Sequence, residues 1–158
     1  MEDEREKLIA QLQQTQAAID ERLRAVAEQQ DWQPEPGQWS FRYVAAHLAA
    51  VEKDCMWERL QRIASGSEPH FEYYENTGWD FSQQELTASL ETWRRRREES
   101  LAFVRALLPE ALSLEGTHAA FGTITVQDVM RIILEHDQEH LAELDEALEA
   151  FAGDTRRE

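Results

Sequence analysis

The chain alternates between long stretches with three- and four-residue apolar spacing and short stretches where that spacing fails. Residues 3–30 place Leu8, Leu12, Ile19, Leu23 and Val26 on one side of a 3.6-residue repeat, with Gln, Glu and Arg between them. That spacing predicts an amphipathic helix. Pro34, Pro36 and Gly37 in "DWQPEPGQWS" break it. Ser40 is placed to cap a second helix, which runs to about Gly66 along the stripe Phe41, Val44, Leu48, Val51 and Cys55. Residues 65–81 have no helical period and hold Gly66, Pro69 and Gly78. Phe71, Tyr73, Tyr74, Trp79 and Phe81 make this segment too aromatic for a disordered linker, so it reads as an ordered crossover loop.

Ser82 and Glu85 have the S-x-x-E spacing of a capping box. They open a third predicted helix through Leu86, Leu90, Trp93, Leu101 and Val104, stopping at Pro109. The loop "PEALSLEGTHAAFGTIT" then leads to Thr125 as a cap, with Asp128 three residues on. The fourth helix carries Val126, Val129, Ile133, Leu144, Leu148 and Phe151 along one side, and Gly153 is positioned to end it. Four such helices predict an all-α fold, a four-helix bundle with long crossover connections. With 158 residues, the chain is read as a single domain spanning 1–158.

Composition narrows the function. A net charge of −16 argues against nucleic acid, whose binders draw most of their affinity from clustered Lys and Arg. It also argues against an anionic membrane surface. The one basic run, Arg94 to Arg97, falls in a helical pattern and reads as a solvated face with local salt bridges. "MEDEREKL" lacks the apolar core of a signal peptide, and no apolar run reaches bilayer length. A single cysteine, Cys55, leaves no intramolecular disulfide and fits a reducing compartment, so a cytoplasmic location is expected. Cys55 lies on an apolar stripe and reads as a buried structural thiol.

The candidate chemistry lies in "RIILEHDQEHLAEL". His136 and His140 are four residues apart, about 40° around a helix, close enough for both imidazoles to reach one metal ion. Both sit on one flank of the apolar stripe, and His47 in "FRYVAAHLAAVE" borders the stripe of its own helix. Stripe borders line clefts between helices. Taken alone, His47 reads as a histidine satisfied by a carboxylate or backbone partner. HxxxH alone is a weak motif without the Glu of the HExxH zincins. Together the three make a set of imidazoles on two helices of a small bundle, a common place for a metal site. His70 and His118 stand in loops at unrelated spacing.

The pattern "PGQWSFRYVAAHLAAVE" followed by "GTITVQDVMRIILEHDQEHLAEL" resembles the DinB/YfiT-like superfamily of metal-dependent proteins. The shared elements are Trp39 and Ser40 before the second helix, His47 within it, Gly122 and Thr125 in a G-x-x-T loop, and His136 with His140 in the last helix. They span nearly the whole chain in order. The resemblance implies a four-helix bundle in which His47, His136 and His140 bind a divalent metal such as Ni²⁺ or Zn²⁺. It also implies a homodimer, and for some members a thiol S-transferase or isomerase activity using low-molecular-weight bacterial thiols. Where the family often carries Gln, three residues past the last histidine, this chain has Glu143.

Three neutral imidazoles would leave an ion with an open coordination position, unlike closed four-ligand structural sites. Such an ion can activate water or hold a thiol as thiolate. The leading expectation is therefore a metal-dependent enzyme, thiol S-transferase-like or hydrolase-like, acting on a small-molecule electrophile. The alternative is a non-catalytic metal- or ligand-binding protein, or a stress-related interaction protein. Catalytic residues beyond the ligand set are not assigned. Glu143 could face solvent, orient a ligand or accept a proton, and Asp137 could hold an imidazole N–H or ride the helix exterior. Tyr43 could line the pocket and Trp79 could cover it, with core packing the leading reading for each.

Overall fold

The computed structural model describes residues 3–76 and 78–157, with side chains as far as Asp154. Met1, Glu2, Thr77 and Glu158, which the expected 1–158 domain includes, lie outside the described residues. Four helical rods form the bundle. The first, α1 (Glu4–Ala25), starts at Asp3, whose carboxylate accepts the Arg5 N–H at 3.0 Å. It closes in a 3-10 turn, Ala27–Gln29, and buries Leu8, Leu12, Ile19 and Leu23 as the spacing predicts.

The second rod has three parts: α2 (Phe41–Val51), a π-helical stretch (Glu52–Trp57) and α3 (Glu58–Ala64). The Ser40 hydroxyl accepts the Tyr43 N–H at 3.1 Å, so the predicted cap forms. The wider π turns shift the phase of the rod. As a result two adjacent pairs, Val51 with Glu52 and Cys55 with Met56, are all buried.

The third rod, α4 (Leu86–Ala106), buries the predicted stripe but begins and ends differently. Glu85 makes no side-chain capping bond, and the Ser82 N–H donates to Asp80 Oδ1 at 2.9 Å. The Leu86 N–H instead donates to Gln30 Oε1 at 2.7 Å, so a side chain 56 positions away does the work expected of the local box. The helix stops three residues before Pro109 because Leu108, preceding proline, is extended (φ −65°, ψ 149°). Pro109 opens a 3-10 helix, Pro109–Ser113.

The last rod, α5 (Val126–Arg157), opens on the predicted reciprocal box. Asp128 N–H donates to Thr125 Oγ1 at 3.1 Å and Thr125 N–H to Asp128 Oδ2 at 3.0 Å. Gly153 does not end this rod, which continues to Arg157; Gly153 avoids the left-handed backbone a glycine stop would need.

A small sheet, not expected from the sequence, joins the connections. Strand β1 (His70–Phe71) runs parallel to β2 (Glu115–His118), which pairs antiparallel with β3 (Gly122–Thr125). Two- and four-residue strands carry too little alternation to be read in advance. Gly116 permits the close approach, since a Cβ there would lie 2.9 Å from the Pro69 carbonyl oxygen. Among the described residues no helix is long and apolar enough to cross a membrane.

Two apolar clusters fill the bundle, one around Leu12, Met56, Leu101 and Ile133, the other around Ile19, Leu48, Trp93 and Leu144. Between them lies a polar layer. Arg97 stands between Trp93 and Leu101 on α4, Glu52 between Leu48 and Cys55 on the second rod, and Asp137 between Ile133 and Leu144 on α5. The histidines lie at this level of the bundle.

Candidate metal centre

His47, on α2, and His136 and His140, on α5, meet at their Nε2 atoms. His136 Nε2 lies 3.2 Å from His47 Nε2 and 3.1 Å from His140 Nε2. The four-residue spacing stacks the two α5 imidazoles edge to face, with ring centroids 4.4 Å apart, and α2 delivers the third. The structure thus brings together all three sequence-predicted ligands.

Of the three rings, His47 is hydrogen-bonded from behind, and a carboxylate stands near each of the other two. His47 Nδ1 lies 2.5 Å from Asn76 Oδ1. Asn76 is oriented because its Nδ2 donates to the Tyr74 hydroxyl at 3.3 Å, and that hydroxyl donates to Asp54 Oδ2 at 3.2 Å. The order of donors assigns the His47 proton to Nδ1 and leaves a lone pair on Nε2, aimed at the other two rings. His136 Nδ1 stands 3.5 Å from Asp137 Oδ1, and His140 Nδ1 3.6 Å from Glu143 Oε2. Asp137 is buried and does not ride the helix exterior; its Oδ2 accepts from Arg97 Nη2 at 2.9 Å, and Arg97 Nε also pairs with Glu52. Burial pushes the Asp137 carboxyl up, but the Arg97 guanidinium outweighs it and holds the group below the usual carboxylate range. Burial raises Glu52.

Two of the rings, His47 and His140, are held neutral. Burial lowers His47 to about 4, against the Asn76 hydrogen bond, and lowers His140 to about 3 with help from the neighbouring imidazoles. Three inward nitrogens at these separations repel one another unless a proton or cation stands among them. Ligands about 2.0–2.1 Å from a tetrahedral ion would lie about 3.4 Å from each other. That is close to the 3.2 and 3.1 Å that separate His136 Nε2 from the other two, and all three ligand atoms lie within 4.8 Å of one another. The donor set fits a divalent ion.

Trp39 packs against two of the rings. Its ring stacks on His140 at 5.7 Å and 17° and leans on His47 at 4.6 Å. A cleft of about 440 Å³, which Trp39 also lines, opens from the histidines, walled by Val51, Cys55, Arg59, Tyr74, His118 and Ile133 among others. A second of about 510 Å³ reaches His140 beside Trp39 and Glu143. Cys55 is buried, as expected, and burial pushes its thiol up to about 11, far from a thiolate.

The other candidate residues sit outside the cluster. Tyr43 lies outside the cleft wall: its hydroxyl donates to the Asn76 carbonyl at 2.9 Å and accepts the Gly78 N–H at 3.2 Å, so it holds the loop that carries Asn76. Trp79 packs on Tyr74 and Phe81 and is half exposed. Glu143 faces solvent, with its side chain 69% exposed. His70 is exposed against Glu72 and Thr117, and His118 is buried, but neither joins the cluster. The basic run is not uniformly solvated, because Arg97 is 1% exposed. Its position in step with Trp93 and Leu101 was the available signal, masked by the adjacent arginines. Asn76 carried no signal, since nothing local marks a loop amide as an imidazole's partner.

The DinB superfamily model matches residues 4–144. The chain belongs to the DinB superfamily. Among solved structures, this DinB chain is similar to YfiT from Bacillus subtilis, described as "a probable metal-dependent hydrolase with an unusual four-helix bundle topology". The two share 19% identity with a TM-score of 0.81, over 94% of this chain and 87% of that one. At that identity the match establishes the DinB-like four-helix bundle alone. No curated protein matches the chain.

Proposed function

We propose that His47, His136 and His140 hold one divalent metal ion, nickel or zinc, and that the protein is a metal-dependent enzyme activating a thiol or water against a small-molecule electrophile. The supporting observation is the convergence of three inward-facing imidazoles, with His136 Nε2 3.2 Å from His47 Nε2 and 3.1 Å from His140 Nε2, at the head of a 440 Å³ cleft. When bound, such an ion supplies Lewis acidity that favours the deprotonated form of a thiol or water at neutral pH. The remaining work falls to the protein. Asn76, Tyr74 and Asp54 hold the His47 tautomer, and Asp137, fixed by Arg97, faces His136. Trp39 packs against His140 and His47, and the cleft reaches all three histidines.

Imidazole suits several divalent ions, so elemental analysis of the protein as purified comes first. The expected result is one ion per chain, lost in His136→Ala while the helical circular dichroism is retained. Chains that never take up nickel or zinc would overturn the metal centre. With metal bound, a panel of low-molecular-weight thiols with monochlorobimane, and a panel of esters and amides, should reveal metal-dependent turnover. A bound ion with no turnover on either panel would leave a metal-binding module instead of an enzyme.

A further inference from the structure

The cleft headed by the histidines also holds a cation that the protein does not neutralise. Arg59, on α3, is 6% exposed and lines this cleft. Its guanidinium lies 5.5 Å from the centre of the Phe71 ring, and Nη2 donates to the Glu72 carbonyl at 3.2 Å. Among the described residues that is its one hydrogen bond, and no carboxylate pairs with it. The contrast within the molecule is sharp. Acidic residues outnumber basic ones 32 to 16, and the other buried arginine, Arg97, is flanked by two carboxylates. Burying a cation is costly unless an anion faces it.

His118 joins Arg59 on the same wall. The β2–β3 hairpin folds its own backbone onto the ring: the Ala120 and Phe121 N–H groups donate to Nδ1 at 2.9 and 3.3 Å. Nδ1 is therefore the acceptor and the proton sits on Nε2. Burial, reinforced by the charge of Arg59, disfavours a second proton. The ring is 3% exposed and lines the cleft, and its Nε2–H has no partner among the described residues. A guanidinium and an imidazole N–H, both buried and both short of acceptors, thus face one space.

We propose that Arg59 and His118 form a carboxylate-binding subsite that takes the acid end of an elongated small molecule whose reacting end lies at the imidazoles. This rests on the metal-centre reading for the reacting end. Arg59 stands about three helical turns beyond His47 on the second rod, so the occupant is a chain of several atoms, not an acetate-sized molecule. Glu75, Glu135 and Glu139 also line the cleft and are exposed. Solvent screens their charge more than that of buried Arg59, but they oppose a dianion more strongly than a monoanion. The planar fork of a guanidinium also matches a carboxylate. Both arguments select a carboxylate over a phosphate.

The test is isothermal titration calorimetry on the zinc-loaded full-length chain with two matched ligand series, ω-mercaptoalkanoates and ω-mercaptoalkanols of increasing length. The acid should bind roughly ten- to a hundredfold tighter than the alcohol at one optimal length. That preference should vanish in Arg59→Met and return in part in Arg59→Lys. The wild-type comparison needs no variant to fold. Equal affinities at every length, or a preference untouched by Arg59→Met, would overturn the subsite while leaving the metal centre standing. Simple alkanoates against alkanols on metal-free protein separate the two ideas from the other side. A carboxylate preference there, in a chain that takes up no zinc, would support the subsite and sink the metal centre.

Discussion

Asn76 lies 29 positions from His47 in the chain and 2.5 Å from its ring. Its amide decides which imidazole nitrogen carries the proton, and so which one faces the other two rings. Such outer partners of metal-binding histidines typically contribute 10- to 100-fold in affinity. Asn76→Leu is therefore expected to weaken zinc binding by about that factor, measured by competition with a chromogenic chelator. Circular dichroism should stay unchanged, because Tyr43 still anchors the loop through the Asn76 carbonyl. Unaltered affinity would remove Asn76 from the site. At this scale the sequence was informative where chemistry repeats locally and silent where it does not. The four-residue spacing of His136 and His140 stated that they share a face, whereas the donor chain through Tyr74 to Asp54 exists only once the loop has folded back.

Among the helices, the polar layer governs the energetics. Glu52, Arg97 and Asp137, each from a different rod, are all at most 1% exposed. Removing one member of a buried charge group leaves the others unpaired, at a cost of about 3–5 kcal/mol, while replacing the whole group by apolar residues is often neutral. Arg97→Ala should lower stability to urea by about that amount, and a combined Glu52→Leu, Arg97→Met, Asp137→Leu variant should recover most of it. If the single variant is no less stable than the parent, the layer contributes nothing. The rods themselves were legible because their apolar stripes repeat over many turns, and two of the caps, at Ser40 and Thr125, are local sequence devices. The start of α4 was not, because Gln30 caps it from another part of the fold. Nor was the π-helical stretch, whose buried Glu52 looks like any surface glutamate in a linear reading.

For the molecule as a whole, acid should act through the histidine cluster. In the unfolded chain these rings titrate near 6.5, whereas in the fold His47 is lowered to about 4 and His140 to about 3. Below the unfolded value, the unfolded chain binds protons that the native protein refuses, so stability falls on acidification. It is fully present above pH ~6.5 and is lost progressively down to about pH 4–3. The urea midpoint of metal-free protein should drop between about pH 7.5 and about pH 5, and the drop should shrink in a His47→Gln, His140→Gln double variant. A drop of the same size in that variant would assign the acid sensitivity to other groups.

The three-stranded patch that ties His70–Phe71 to Glu115–His118 and Gly122–Thr125 divides the labour of the chain. Most of the wall opposite the imidazoles is furnished by connecting segments, through Tyr73 and Tyr74 on one and His118 and Phe121 on the other, while the imidazoles ride on rods. Descendants of this architecture can therefore remodel the walls by editing two stitched loops and leave the ligating nitrogens in register. Asn76 is the joint where such editing reaches the imidazoles.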